Sequence, residues 1–207
     1  MPSEGLPVRP VIALDIGNVC VHLQLKRHAR AFGYPNIGHF RAEAPEAFAL
    51  NDRFHRGEVS EPQFLCELRK TLPALGEWTD EAIQSAYRTL VGEEIDGMAA
   101  MVDEWLDRDI QPVFFSDINP IHWRQVQGFM SFMERVPGAV LSFETGACKP
   151  HPPMYVEMET LHCEGGRPCL YLDDKAENIA AGRARGWNCY HVGDLAGIRA
   201  AMETIER

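Results

Sequence analysis

A chain of 207 residues with 45% hydrophobic content is long enough to bury one sizeable core, or a core domain carrying a modest insertion. Its formal net charge of -10 leaves no basic face to displace counterions, which argues against nucleic acid or an anionic membrane as partners. An anionic ligand would need positive charge placed locally.

No segment approaches the roughly twenty apolar residues that span a bilayer, and MPSEGLPVRP at the start lacks the basic-then-apolar pattern of a signal peptide, so a cytoplasmic protein is expected. Cys20, Cys66, Cys148, Cys163, Cys169 and Cys189 form no Cys-x-x-Cys pair. That spacing predicts reduced, mostly buried thiols rather than a zinc ribbon or a disulfide scaffold.

In chain order, the apolar run 11–14 (VIAL) reads as a first strand, ending on Asp15 and turning on Gly17 and Asn18. From Asp15 to about Val91 the pattern is helical throughout. Ser60 with Gln63 predicts a capping box ahead of FLCELRKTL, and Thr79 precedes an amphipathic stretch with Ile83, Ala86, Tyr87, Leu90 and Val91 on one face. About seventy residues of helix are too long for an ordinary strand-to-helix loop, so this is an insertion. A further helix carries Ile95, Met98, Val102, Trp105 and Leu106 at helical spacing.

The later runs 112–115 (PVFF), 139–143 (AVLSF), 169–172 (CLYL) and 189–192 (CYHV) read as strands. Helices opened by Asn119-Pro120 and by Pro152, and one over 177–185 stopped by Gly186, alternate with them. The predicted architecture is α/β: a Rossmann-like open parallel sheet of about five strands, helices on both faces, and a small helical cap after the first strand. The expected division is a core of 1–19 and 93–207 with a cap over 20–92.

Open parallel sheets bind ligands at the carboxyl ends of their strands. Those positions hold Asp15, then Ser116 and Asp117, then Asp173 and Asp174, while Lys149 opens the helix after the third strand. Carboxylates brought together repel and favour a cation, and an all-oxygen site with water and phosphate suits Mg²⁺, with Asp15 and Asp174 as the metal-binding acids. Ser116 and Asp117, on a turn before the helix that begins near Asn119, present a hydroxyl and backbone amides to an anion, and Lys149 adds a point charge. Singly, each residue is an ordinary cap or turn former. Their ordered appearance at successive strand ends is what points to a phosphoryl site.

With LDIGNV, FFSDIN, the lysine of GACKPHPPMY, and LYLDDKAEN as four motifs, the chain resembles the haloacid dehalogenase-like (HAD) superfamily of hydrolases over nearly its whole length. FHRGEVSEPQF in the cap, followed by SDINPIHW, is similar to the bacterial subgroup that includes glucose-1-phosphate phosphatase, and to the N-terminal phosphatase domain of soluble epoxide hydrolases. The resemblance implies a Mg²⁺-dependent phosphatase of a small phosphorylated metabolite, a sugar phosphate among the options. Asp15 would attack phosphorus to form an aspartyl-phosphate that water hydrolyses. Asp15, the backbone carbonyl of Gly17, Asp174 and Asp173 would hold the metal, Ser116 and Lys149 would stabilise the phosphoryl oxygens, and Asn178 would orient the paired acids.

One departure matters most. Family phosphatases carry a second Asp two positions after the nucleophile as proton donor, and this chain has Gly17. His22 is the leading replacement acid or base, with Asp117, His55 and His151 as others; Phe54, His55, Arg56 and Trp78 are candidates to face the site from the cap. Cys148 and His151 flank the Lys149-Pro150 pair where relatives carry Arg and Asp. Three rival readings follow: hydrolysis at carbon as in the dehalogenases, a metal- and phosphate-binding regulatory protein that has lost the acid, and a phospho-receiver. The receiver is set aside because its paired acids follow the first strand, whereas here they follow the fourth.

Overall fold

The computed structural model describes residues 9–203. Residues 1–8, and with them most of the segment read for a signal sequence, lie outside the described residues.

Strand β1 (Val11–Leu14) is followed by β2 (Val21–Leu23) and five helices: α1 (Leu25–Ala31), α2 (Ile37–Glu43), α3 (Pro45–His55), α4 (Glu61–Thr71) and α5 (Asp80–Arg88). β3 (Val91–Glu94) returns to α6 (Met98–Asp107), β4 (Gln111–Ser116), α7 (Pro120–Phe129), β5 (Gly138–Leu141) and α8 (Ser142–Thr145). The chain closes with α9 (Pro152–His162), β6 (Leu170–Asp173), α10 (Ala176–Ala184), β7 (Cys189–His191) and α11 (Leu195–Glu203). The sheet is five-stranded, in the order β5-β4-β1-β6-β7, and every pairing is parallel.

Because side chains alternate across a strand, neighbouring residues of β1 feed two different layers. Ile12 and Leu14 join Phe114, Leu170 and Leu172 under α6, α7 and α11, through Met98, Trp105, Val126 and Ile198. Val11 and Ala13 join Val113, Phe115 and Tyr171 under α9 and α10, through Met154, Tyr155 and Ile179. Burial on both faces is why these strands read as unbroken apolar runs.

The five helices between β2 and β3 pack on one another around Phe40, Phe54, Phe64, Leu68, Ile83 and Tyr87, a core separate from the sheet's, which Ile121 of α7 joins. The predicted caps are present: Ser60 N–H donates to Gln63 Oε1 at 2.9 Å, and Thr79 Oγ1 accepts from Ala82 N–H at 3.2 Å. Arg124 of α7 reaches Glu61 of α4 at 2.5 Å, and Gln125 donates to the Arg88 carbonyl at 3.0 Å, tying the helical layer to the sheet layer.

Several expectations need correction. The segment after β1 is not helical throughout: β2 and β3 pair antiparallel, Val21 opposite Glu94 and Leu23 opposite Val91. Such three- and four-residue strands are too short to leave a periodic signature, and only the pairing reveals them. The third parallel strand stops at Leu141, because Ser142 turns inward, accepting from Ile118 N–H and donating to the Ile118 carbonyl, both at 3.0 Å. Ile95 precedes α6, which starts after Gly97 at φ +88°, and Lys149 lies on the loop before α9 rather than opening it. All six cysteines are free thiols, but Cys66 is exposed and only Cys20 and Cys163 are fully buried.

Candidate active site at the carboxyl edge of the sheet

The turn after β1 is held by its own backbone. Asp15 N–H donates to the Leu172 carbonyl at 3.0 Å, Val21 N–H to the Ile16 carbonyl at 3.0 Å, and Asn18 N–H to the Val21 carbonyl at 2.7 Å. These bonds aim Asp15 off the end of β1, 6% exposed. Asn18 adopts φ +55°, a left-handed conformation that Asn tolerates better than most side chains. Its amide donates to Asp174 Oδ2 at 2.8 Å. The sequence marked Asn18 only as a turn former, and its Gly-Asn context gives no hint of a contact 156 residues away.

Lys149 is the hub. Its ammonium donates to Asp15 Oδ1 at 2.9 Å, Asp173 Oδ2 at 2.6 Å and the Phe115 carbonyl at 2.7 Å, using all three protons, and it stands 5.0 Å from the centroid of the Phe115 ring. Burial opposes its charge, but Asp15, Asp173 and Asp117 outweigh burial and hold the ammonium above the ordinary lysine value. Asp117 also fastens the loop, accepting from Lys149 N–H at 2.8 Å. The carboxylate of Asp117 therefore serves Lys149; an anion at this turn would meet backbone amides and the Ser116 hydroxyl.

Asp173 is fully buried, and both its oxygens are engaged. Oδ1 accepts from Lys175 N–H at 2.8 Å and Asn178 Nδ2 at 3.1 Å, while Oδ2 accepts from Lys149, from the Tyr171 hydroxyl at 2.6 Å and from Asn178 Nδ2 at 3.1 Å. Burial disfavours its charge, yet Lys149 and these donors keep the carboxyl below its usual range. Asn178 thus orients Asp173; Asp174 is oriented by Asn18. Burial pushes Asp15 up to about 7, with Lys149 opposing the rise and Asp173 adding to it.

Carboxylate oxygens of Asp15, Asp173 and Asp174 lie within 4.8 Å of one another. Their donor set is hard oxygen, and three acids share one lysine. With Asp173 engaged, Asp15 and Asp174 are the acids that keep an oxygen for a further ligand, and Gly17 lies on the turn that follows β1 and lines the same cavity. Asp15, Gly17, Ser116, Asp117, Lys149, Asp174 and Lys175 all line one cavity of about 240 Å³, whose roof comes from α1, α2, α3, α4 and α5.

The structure separates the acid-base candidates. His22 is exposed on β2 and does not line the cavity, and His151 is likewise exposed outside it. His22 points away because the two-residue period of β2 turns Val21 and Leu23 inward instead. His55, the last residue of α3, does line it. His55 Nδ1 lies 2.9 Å from the Asn51 carbonyl, so that nitrogen carries the proton and Nε2 is the acceptor, 3.4 Å from the Asn119 side-chain amide. Burial lowers its pKa against that bond and the attraction of Asp117, leaving a neutral imidazole at pH 7. Gly57, at φ +65°, sits so close to the Phe143 carbonyl that a Cβ would collide with it, and this contact seats the end of α3 over the core. The remaining cap candidates face elsewhere: Phe54 is fully buried against Phe64, while Arg56 and Trp78 are absent from the cavity lining. Cys148 borders Lys149, and burial pushes its thiol up to about 11, so it is a poor nucleophile at neutral pH.

No protein-family model matches the chain, and no curated protein matches it. Solved structures do. A HAD-like family hydrolase of Porphyromonas gingivalis superposes with TM-score 0.78 at 21% identity, covering 97% of this chain and 99% of its own. The fold is that of HAD enzymes. A HAD family enzyme of Bacteroides thetaiotaomicron, solved with magnesium and inorganic phosphate, matches at TM-score 0.77 and 18% identity over 91% of this chain and 98% of its own. The L-2-haloacid dehalogenase of Xanthobacter autotrophicus matches less well, at TM-score 0.60 and 15% identity over 92% and 80%. Among the described residues no helix is long and apolar enough to cross a membrane.

Proposed function

We propose that this protein is a HAD hydrolase that cleaves phosphate monoesters with Mg²⁺ through an aspartyl-phosphate on Asp15. The observation that carries the reading is the junction of Asp15, Lys149 and Asp173 at adjoining strand ends, with Asp174 beside it, open to a roofed cavity. Support also comes from the magnesium and phosphate bound by the Bacteroides enzyme of the same fold. On this reading residues 20–92 act as a cap on a core of 1–19 and 93–207, the boundary running through the β2–β3 ribbon.

Asp15 Oδ2 attacks phosphorus, the P–O bond to the organic group breaks, and the departing oxygen takes a proton. Water then attacks the aspartyl-phosphate and returns the carboxylate. Ser116 and the amides of the turn before α7 hold the equatorial oxygens, and Lys149 keeps Asp15 oriented and offsets charge as it builds. Mg²⁺ would be held by Asp15, the Gly17 carbonyl and Asp174, with Asp173 behind them, and would neutralise the phosphoryl oxygens. In place of the side chain absent at Gly17, His55 Nε2 is the base that accepts the water proton in the second step. Its neutral state suits a base; leaving-group protonation falls to solvent, which favours esters of acidic alcohols.

The test is phosphate release from a panel of aryl and alkyl phosphates with Mg²⁺, comparing the native chain with Asp15→Asn. Turnover in the native chain, lost by more than about 10³-fold in the variant and abolished by EDTA, is expected. A second reading, a binding protein without turnover, is favoured by Gly17: it prevails if neither chain releases phosphate while both still bind it. Chloride release from a haloacid in the presence of EDTA would instead place the chemistry at carbon.

A further inference from the structure

Five side chains close a circuit of hydrogen bonds between the helical layer and the sheet layer. Tyr87 of α5 donates its hydroxyl to Asn51 Oδ1 on α3. The Asn51 carbonyl takes the Nδ1 proton of His55 at 2.9 Å, and His55 Nε2 stands 3.4 Å from the side-chain amide nitrogen of Asn119, just ahead of α7. The same nitrogen donates to His122 Nδ1 at 3.0 Å, and His122 Nε2 donates to the Tyr87 carbonyl at 3.0 Å, which returns the path to α5. Tyr87 and His122 also stack, their centroids 4.8 Å apart and their planes 6° from parallel.

The direction of these bonds is fixed by their partners. A carbonyl only accepts, so His55 carries its proton on Nδ1 and His122 on Nε2, and the other nitrogen of each neutral imidazole is an acceptor. Asn119 Oδ1 accepts from His122 N–H at 3.1 Å as the N-cap of α7. Its amide nitrogen is thereby turned toward both acceptors, and rotating the amide would lose the cap and set an oxygen against two lone pairs. Burial keeps both imidazoles neutral at pH 7: it lowers His55 against the pull of Asp117 and Asp52, with Lys175 assisting, and takes His122 down to about 3, with His55, His28 and Arg88 adding to the fall. Asn119 is fully buried and off the cavity wall, so it acts through its neighbours; of the two imidazoles on the wall, His55 is half-buried and His122 is 3% exposed.

We infer that Asn119 is a positioning residue for His55, its amide hydrogen aiming Nε2 and reserving that nitrogen as an acceptor. This deepens the reading above, in which His55 is the base. A proton on Nε2 would face the hydrogens of the Asn119 amide, donor against donor, and Asn119 cannot turn to relieve the clash while it caps α7. At 3.4 Å the amide stands at the long end of a hydrogen bond, so it orients the imidazole while engaging the lone pair only weakly, which leaves that pair for water. Donors and acceptors come from both layers, and the arrangement exists only while α3 and α5 sit against α7.

Asn119→Asp separates this role from capping. It keeps an oxygen for His122 N–H but sets a carboxylate oxygen where the amide nitrogen stood, so that the nitrogens facing it favour a proton. With Mg²⁺ and phenyl phosphate, the acidic limb of the kcat profile should move up by about one pH unit or more, which cuts kcat at pH 6 by about tenfold. Asn119→Ser, which caps α7 but has no amide, should lower kcat several-fold with KM nearly unchanged. A residue that only caps the helix would leave both profiles as they are, and that result overturns the inference. Imidazole nitrogen NMR reads the circuit without turnover and, in the native chain, without a variant: His55 should hold its proton on Nδ1 and His122 on Nε2 at pH 7 to 8, and the opposite tautomer of either overturns the inference. In Asn119→Asp, His55 should titrate about one pH unit or more higher than in the native chain. If no chain releases phosphate but these tautomers and that rise are seen, the positioning role stands and the catalytic reading falls. If phenyl phosphate is hydrolysed but His55 titrates alike in both chains, the phosphatase reading survives alone.

Discussion

The floor and the roof of the cavity are built on opposite principles. In the floor, Asp15, Asp117, Lys149 and Asp173 are interlocked by charge-assisted hydrogen bonds, and each side chain's position depends on the others. In the roof, Phe32, Phe40 and Phe48 meet through ring contacts, and the polar side chains are tied to backbone carbonyls or to one another. A floor of that kind suits one reaction on any ester that reaches it, since it touches only what all such esters share. A roof of that kind discriminates among the organic groups. The comparison teaches where to expect all-or-none effects and where to expect graded ones.

The largest effect should come from breaking the floor. Lys149→Met leaves Asp15 and Asp173 buried without their shared cation, and should cost about 3–5 kcal/mol in urea unfolding at pH 7 as well as nearly all phosphate release. A stable variant would show that the two acids find other partners and that the floor is not interlocked. Where floor and roof meet, His55→Gln should slow turnover by about 10²-fold or more and remove the acidic limb of the pH profile, whereas His22→Gln should change neither. Equal effects of the two would return His22 to candidacy.

The two most deeply buried histidines lining the cavity, His28 of the roof and His122 of α7, should show in stability rather than in rate. Burial holds His28 at about 4 and His122 at about 3, while the unfolded imidazoles titrate near their ordinary value of about 6.5. Between those values the unfolded chain binds protons that the folded chain refuses, so acid favours unfolding. Stability should be fully present above pH 6.5 and should fall toward pH 4, by about 1.4 kcal/mol per pH unit for each histidine. Asp15, raised in the folded state, works in the opposite direction over the same range, so the measurement is best made on Asp15→Asn. A flat urea midpoint from pH 7 to 5 would mean that the roof admits water to these rings. The smallest effect is expected at Gly17→Asp. Its Cβ would stand 3.0 Å from Leu23 Cδ1, the movable end of a side chain, and the new carboxyl should speed esters of poor leaving groups by several-fold. No gain in a folded variant would indicate that proton transfer is not limiting.

The sequence was most informative where burial or capping leaves a local trace. All five parallel strands coincide with apolar runs, because a strand covered on both faces has few other compositions open to it, and the caps at Ser60, Thr79 and Asn119 announce their helices. The strand-end acids, hydroxyl and lysine were legible too, since parallel strands deliver whatever follows them to one edge. The β2–β3 ribbon left no such trace, and neither did the early end of β5, whose cause is a hydrogen bond from Ser142 to a residue 24 positions earlier.

What the chain determined alone is the edge: Asp15, Ser116, Asp117, Asp173 and Asp174 at or just after strand ends, which local hydrophobicity and turn chemistry suffice to place, with Lys149 on the loop ahead of α9. Only the tertiary structure decided how they divide the work. It turned Asp173 inward onto Lys149, Tyr171 and Asn178, gave Asp174 to Asn18, and set His22 outside and His55 inside the cavity. Those outcomes depend on which helix packs over which strand end, and hydrogen bonds between residues far apart in sequence have no local signature for a sequence to carry.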